Sequence, residues 1–125
     1  MGEPDKAIAD FTEAIRLDPQ DAVAYCDRGV AYSDKGDIDQ AITDYTEAIR
    51  LDPELADAYY NRGVDYGDKG ELDRAIEDLT EAIRLNPECA EAYNNRGIAY
   101  EKKGDQAKAE ADFAKATDLG HKPER

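Results

Sequence analysis

Residues 12–19 read "TEAIRLDP", residues 46–53 read "TEAIRLDP" again, and residues 80–87 read "TEAIRLNP". Each step is 34 residues, and at the next place in register, 114–121, the chain reads "AKATDLGH". A fixed period of this length signals stacked units, each of which buries its apolar face only against its neighbours. Aligned on that period, the chain divides into a leading half unit, 1–21, and three full units, 22–55, 56–89 and 90–123. Together they make one solenoid domain, since 125 residues suffice for one modest core.

Each unit reads as two helices. Ile38, Ala41, Ile42, Tyr45, Ala48 and Ile49 fall at i, i+3, i+4, i+7, i+10 and i+11, one face of an α-helix. Tyr25, Gly29 and Tyr32 form a narrower stripe in the half before it. Gly36, Gly70 and Gly104 separate the halves and suit the left-handed residue that closes a helix. Asp37, Glu71 and Asp105 follow, where an acid favours the positive end of the next helix and Asp can cap it. Asp52-Pro53 and Asn86-Pro87 stop the second helix. The spacing predicts seven helices, near 5–17, 22–35, 38–51, 56–69, 72–85, 90–103 and 106–119, and no strand.

Gly29, Gly63 and Gly97 fall inside helices, where glycine costs about 1 kcal/mol against alanine. Three such positions predict a close helix contact, with Ala41, Ala75 and Ala109 opposite. Arg28, Arg62 and Arg96 recur beside these glycines, and Asp10, Asp44, Asp78 and Asp112 recur in the second helices. Half-buried charges need partners. The favoured pairing crosses between units, Asp10–Arg28, Asp44–Arg62 and Asp78–Arg96; the alternative pairs Arg28–Asp44 and its equivalents within units.

The 34-residue period, the pattern Y-x-x-R-G-x-x-Y, the later alanine, the aromatic or leucine four residues on (Tyr45, Leu79, Phe113) and the closing proline resemble the tetratricopeptide repeat. The resemblance covers nearly the whole chain. It implies an all-α, right-handed superhelical solenoid of antiparallel helix pairs with a concave groove. The arginines depart from it, standing where the family usually places leucine.

The spoiled fourth phrase reads as an end cap. Gln106, Glu110 and Thr117 replace the apolar residues that inner units present to the next unit, as terminal repeats require. At the other end Ala7, Phe11 and Ala14 keep the pattern that faces a preceding helix. The chain therefore reads as part of a longer array, or as a module whose open face receives another chain.

Composition limits function. The net charge of −14 repels phosphate backbones and anionic lipid, so nucleic acid and membrane surfaces are not expected partners. The mean hydropathy is −0.82 and the apolar runs are short, so no bilayer span is expected. "MGEPDKA" has no signal-peptide character, and Cys26 and Cys89 lack the pattern of a disulfide framework, so the expected setting is cytoplasmic. One histidine, His121, falls in the polar stretch "GHKPER", which leaves no triad or His-rich metal site. "DKGDID" at 34–39 lacks the spacing and closing glutamate of a calcium loop. No cofactor, metal or catalytic activity is expected.

A second face of each first helix varies between units as a read-out surface would. It carries Val23, Cys26, Asp27, Val30 and Asp34; then Asp57, Tyr60, Asn61, Val64 and Asp68; then Glu91, Asn94, Asn95, Ile98 and Lys102. The resemblance implies that these residues line the groove. Family members that bind chaperone tails clamp a carboxylate with lysines, an arginine and asparagines. Here Asn61 remains, but Cys26 and Val30 occupy the first unit's lysine and asparagine places, and Glu91 and Asn95 replace the third unit's lysine and arginine. A C-terminal carboxylate is therefore not the expected ligand. The expectation is a non-catalytic protein-binding module that holds an extended or helical, basic and apolar segment. The alternative is a structural or self-assembling element that uses its N-terminal end. Either way it is mostly monomeric, with weak self-association through the first helix.

Overall fold

The computed structural model describes residues 2–122, and within them every regular element is a helix. The seven are α1 (Glu3–Leu17), α2 (Ala22–Lys35), α3 (Ile38–Leu51), α4 (Ala56–Asp68), α5 (Leu72–Leu85), α6 (Ala90–Lys103) and α7 (Gln106–Asp118). The expected bounds hold to within two residues. α1 starts earlier than expected because Pro4 suits the first helical turn, where an amide hydrogen has no intrahelical partner.

The turns follow from the residues that recur in them. Gly36, Gly70 and Gly104 have φ of +92°, +83° and +91°, the left-handed region that glycine enters without strain. Just beyond them the amides of Asp37, Glu71 and Asp105 donate to the carbonyls of Tyr32, Tyr66 and Tyr100, each at 2.9 Å. This is the Schellman closure, which satisfies carbonyls that the helix end would leave bare. Asp105 caps α7 by accepting from the Lys108 amide, and Asp21 caps α2 by accepting from Ala24. Asp37 and Glu71 make no side-chain cap but place a negative charge at the helix start.

Each helix packs on the next in sequence. Of the helices further apart, only α2 with α4 and α4 with α6 approach each other. The units therefore curve with α2, α4 and α6 inside and the other helices outside. The core is mostly alanine, with Tyr45 and Leu79 the largest fully buried side chains. α1 alone has no buried residue, and Ala7, Phe11 and Ala14 on it are half-buried against α2 rather than exposed. Gln106, Glu110 and Thr117 are exposed on α7.

Two packing expectations need correction. The space left by the mid-helix glycines is taken chiefly by the side chain four residues after the expected alanine. A Cβ on Gly29 would lie 2.6 Å from Tyr45 Cε1, one on Gly63 2.9 Å from Leu79 Cγ, and one on Gly97 2.8 Å from Phe113 Cε1. At Gly97 the Ala109 carbonyl also comes close, at 3.2 Å.

The arginine–aspartate pairs lie within units, against the favoured pairing. Arg28 Nε and Nη2 grip Asp44 at 2.8 and 2.9 Å, Arg62 grips Asp78 at 2.7 and 2.9 Å, and Arg96 grips Asp112 at 2.8 and 2.7 Å. Each is a two-pronged guanidinium–carboxylate pair. The remaining Nη1 crosses to the previous unit and donates to a threonine, Thr12, Thr46 or Thr80. Asp10 stays exposed on α1.

A cross-unit ion ladder does exist, built from other residues. Lys35 meets Asp5 at 2.8 Å, Lys69 meets Asp39 at 2.6 Å, and Lys103 meets Asp73.

Candidate functional site

The inner wall is made by one face of α2, α4 and α6. The 3.6-residue turn brings positions i, i+3, i+4 and i+7 together on each helix, and the 34-residue period aligns equivalent positions between them. Asp27, Asp57 and Glu91 are exposed, as is Val30. Tyr60, Asn61, Val64, Asn94, Asn95 and Ile98 are half-buried. Cys26 is different: it is 4% exposed and belongs to the core beneath the wall.

Cys26, Tyr60 and Asn94 are equivalent positions, and the asparagines one unit on reach back to the first two. Asn95 Nδ2 donates to Tyr60 Oη at 2.9 Å, and Asn61 Nδ2 contacts the Cys26 sulfur at 3.9 Å. Each asparagine thus ties neighbouring inner helices together. One amide hydrogen and the side-chain carbonyl remain beyond that contact.

The Asp27 carboxyl is raised above its ordinary value by partial burial, then by Asp21 and Asp57. Burial pushes the Cys26 thiol up to about 11, against the opposing Asn61 contact, so it stays protonated and inert. Tyr60 is raised chiefly by burial, with Cys89 and Glu91 adding to it.

Two recesses open on this wall. One, of about 250 Å³, lies between α4 and α6 over α5 and is lined by Val64, Gly67, Leu72, Leu79, Ile98 and Ala99 among others. The second, of about 180 Å³, is lined by Ala56, Asp57, Tyr60, Ala82, Asn86, Cys89 and Glu91. Cys89 is half-buried there, its thiol 3.8 Å from Glu91 Oε1.

Asp65 was not singled out by its sequence. It stands where Ala31 and Ala99 stand in the other units, and it is 3% exposed. Its Oδ1 accepts from the Ser33 hydroxyl at 3.0 Å, joining α4 to α2, while Oδ2 is buried without a hydrogen bond. Burial pushes this carboxyl up to about 6; Ser33 opposes the rise, and Asp68 and Asp34 add to it. The break in the repeat, alanine–aspartate–alanine, was the available signal.

Models of the TPR repeat match residues 1–36 and 31–70, and a tetratricopeptide repeat model matches residues 60–121. The chain belongs to the tetratricopeptide repeat family. A crystal structure of MamA is similar over 94% of this chain and 69% of its own, with 36% identity and a TM-score of 0.89. A second MamA structure has 36% identity and a TM-score of 0.87, with 64% of its length covered. The first tetratricopeptide domain of Spaghetti (RPAP3), bound to the HSP90 peptide SRMEEVD, is 28% identical over 82% of each chain, with a TM-score of 0.79. Comparison with curated proteins gave no match.

The tetratricopeptide fold is a non-catalytic scaffold. Among the described residues no group of three or more His, Cys, Asp or Glu is placed to hold a metal ion. No described helix is long and apolar enough to cross a membrane. His121 does not hang free: its amide donates to the Ala116 carbonyl at 2.9 Å.

Proposed function

We propose that this tetratricopeptide module binds a basic and apolar segment of a partner protein along its inner wall. The observation that carries the reading is a set of acids beside an apolar band. Asp27, Asp34, Asp57, Asp68 and Glu91 face Lys102 alone, beside Val30, Tyr60, Val64 and Ile98. A cationic segment is attracted by these acids, and the band supplies burial. Asn61 and Asn95 hydrogen-bond the segment's backbone with the groups their cross-helix contacts leave over.

The RPAP3 domain binds an acidic peptide, SRMEEVD. Family members of that class use cations where this chain has Cys26, Glu91 and Asn95. The same fold here carries the opposite charge, so the ligand charge inverts. A peptide array with basic–apolar, acidic and neutral sequences tests this. Binding should concentrate in the basic–apolar class, and preference for acidic C-terminal tails would overturn it.

A second reading, self-assembly, is favoured by α1, the one helix with no buried residue. Covering what stays exposed of the half-buried Phe11 and its small neighbours is worth about 1–2 kcal/mol, too little alone for a tight dimer. Sedimentation should show a monomer when dilute and weak association when concentrated, reduced by Phe11→Ser. A tight dimer that survives Phe11→Ser places the contact elsewhere.

A further inference from the structure

The recess between α4 and α6 exists because the middle unit carries smaller side chains than its neighbours. Leu79 forms its floor where the other units have Tyr45 and Phe113, and Gly67 lies on its wall where they have Ser33 and Glu101. Between α2 and α4 the equivalent region contains the buried Tyr45 ring and the Ser33–Asp65 hydrogen bond. One repeat step therefore replaces a ring and a buried carboxyl by a recess with aliphatic walls, lined also by Asp68, Asn95 and Lys102.

We propose that this recess is a socket for one aliphatic side chain of the bound segment, which carries a lysine or arginine about three residues away toward the first unit. This rests on the groove reading above and adds an anchor and a register to it. The walls are aliphatic (Val64, Leu72, Leu79, Ile98), and a recess of about 250 Å³ admits a leucine or methionine side chain. The charge around it selects the flanking residue. Asp68 lies on the socket's lining, and Asp34 and Asp68 both act on Asp65 one step before it. Asp65 is buried with an oxygen lacking a partner, so that side of the socket is short of positive charge. Lys102, on the socket's own lining, disfavours a second cation there. Packed helices lie about 8–10 Å apart and an extended chain rises about 3.3 Å per residue, which sets the spacing near three.

The molecule supplies its own test variant. Leu79→Phe copies the neighbouring units, whose glycines already accommodate a ring at this position, so the variant should fold and fill the socket. Circular dichroism and melting confirm that it folds. Labelled extended peptides with leucine and lysine three apart, in both chain directions, are titrated against the parent and Leu79→Phe. Controls replace leucine by alanine, or lysine by glutamate.

The leucine peptide should bind the parent roughly tenfold or more tighter than its alanine control, and lose that advantage on Leu79→Phe. The glutamate control should bind more weakly to both proteins. If leucine and alanine peptides bind both proteins equally, the socket is refuted and the acidic groove stands. If the glutamate control binds as well as the lysine peptide, the charge assignment is refuted. If none of the peptides binds the parent, the groove reading falls and the socket with it.

Discussion

Arg62 holds Asp78 with two hydrogen bonds, both side chains are largely out of water, and its third nitrogen reaches Thr46. Removing one member leaves a buried charge without its partner. Asp78→Ala should therefore cost about 3 kcal/mol, a large share of the 5–15 kcal/mol typical of a domain. Asp10→Ala, at an exposed position, should leave the melting temperature unchanged. Chemical denaturation of both variants checks the pairing. The sequence left both pairings open, since cross-unit pairing strands Asp112 and within-unit pairing strands Asp10; the packing of the two helices decides it. The lysine ladder left a trace, because Asp5, Asp39 and Asp73 recur at one register position.

Asp65 shows the opposite sign of contribution. Its folded-state pKa, about 6, lies above the ordinary 3.8, so the folded protein binds the extra proton between those values. Its contribution is fully present below about pH 3.8 and is lost as pH rises through 6. Asp65→Ala, which restores the residue found at Ala31 and Ala99, should raise stability by about 2 kcal/mol at pH 7–8 and by little near pH 4. Glu13, Glu47 and Glu81 are each lowered by a neighbouring arginine and oppose this trend, but they are common to both proteins and cancel in the comparison. Melting curves across that pH range decide it. Equal stabilisation at both ends would mean that the carboxylate is not the cause.

At the scale of the helix pair, glycine serves two purposes. Gly36, Gly70 and Gly104 supply a backbone angle. Gly29, Gly63 and Gly97 supply room for Tyr45, Leu79 and Phe113. Gly67 supplies neither, since a Cβ there would sit 3.8 Å from the Ala75 Cβ, an ordinary contact. Gly67→Ala should therefore stabilise α4 by up to about 1 kcal/mol, while Gly63→Leu should cost about 3 kcal/mol or more. Thermal melts of the two should move in opposite directions. Sequence alone showed that these glycines were special because each recurs at one register position. It did not show which side chain fills the gap. Helix periodicity places Ala41 and Tyr45 on one stripe, and only the crossing of two helices decides which of them meets Gly29.

At the scale of the molecule, the contacts of α2 with α4 and of α4 with α6 put the variable faces on the concave side. The period, the helix bounds and the packing stripes were readable because the chain states them three times. The proposed groove could be named from the sequence as a set of positions, but the depth of each could not. Cys26 shares the periodicity of Asp27 and Val30 yet lies beneath them. The recess over Leu79 arises from small residues on three helices, a coincidence visible only once they are assembled. The proposed function turns on the acidic wall, and exposed charges act through a solvent that salt can screen. The decisive measurement is the affinity of a labelled basic–apolar peptide, followed by fluorescence anisotropy from low to high salt, for the parent and for Asp27→Lys with Glu91→Lys. Affinity should fall steeply as the screening length drops below about 8 Å, and the double variant should bind weakly at every salt concentration. Equal affinity at high and low salt, unchanged in the double variant, would contradict an acidic groove that reads a basic segment.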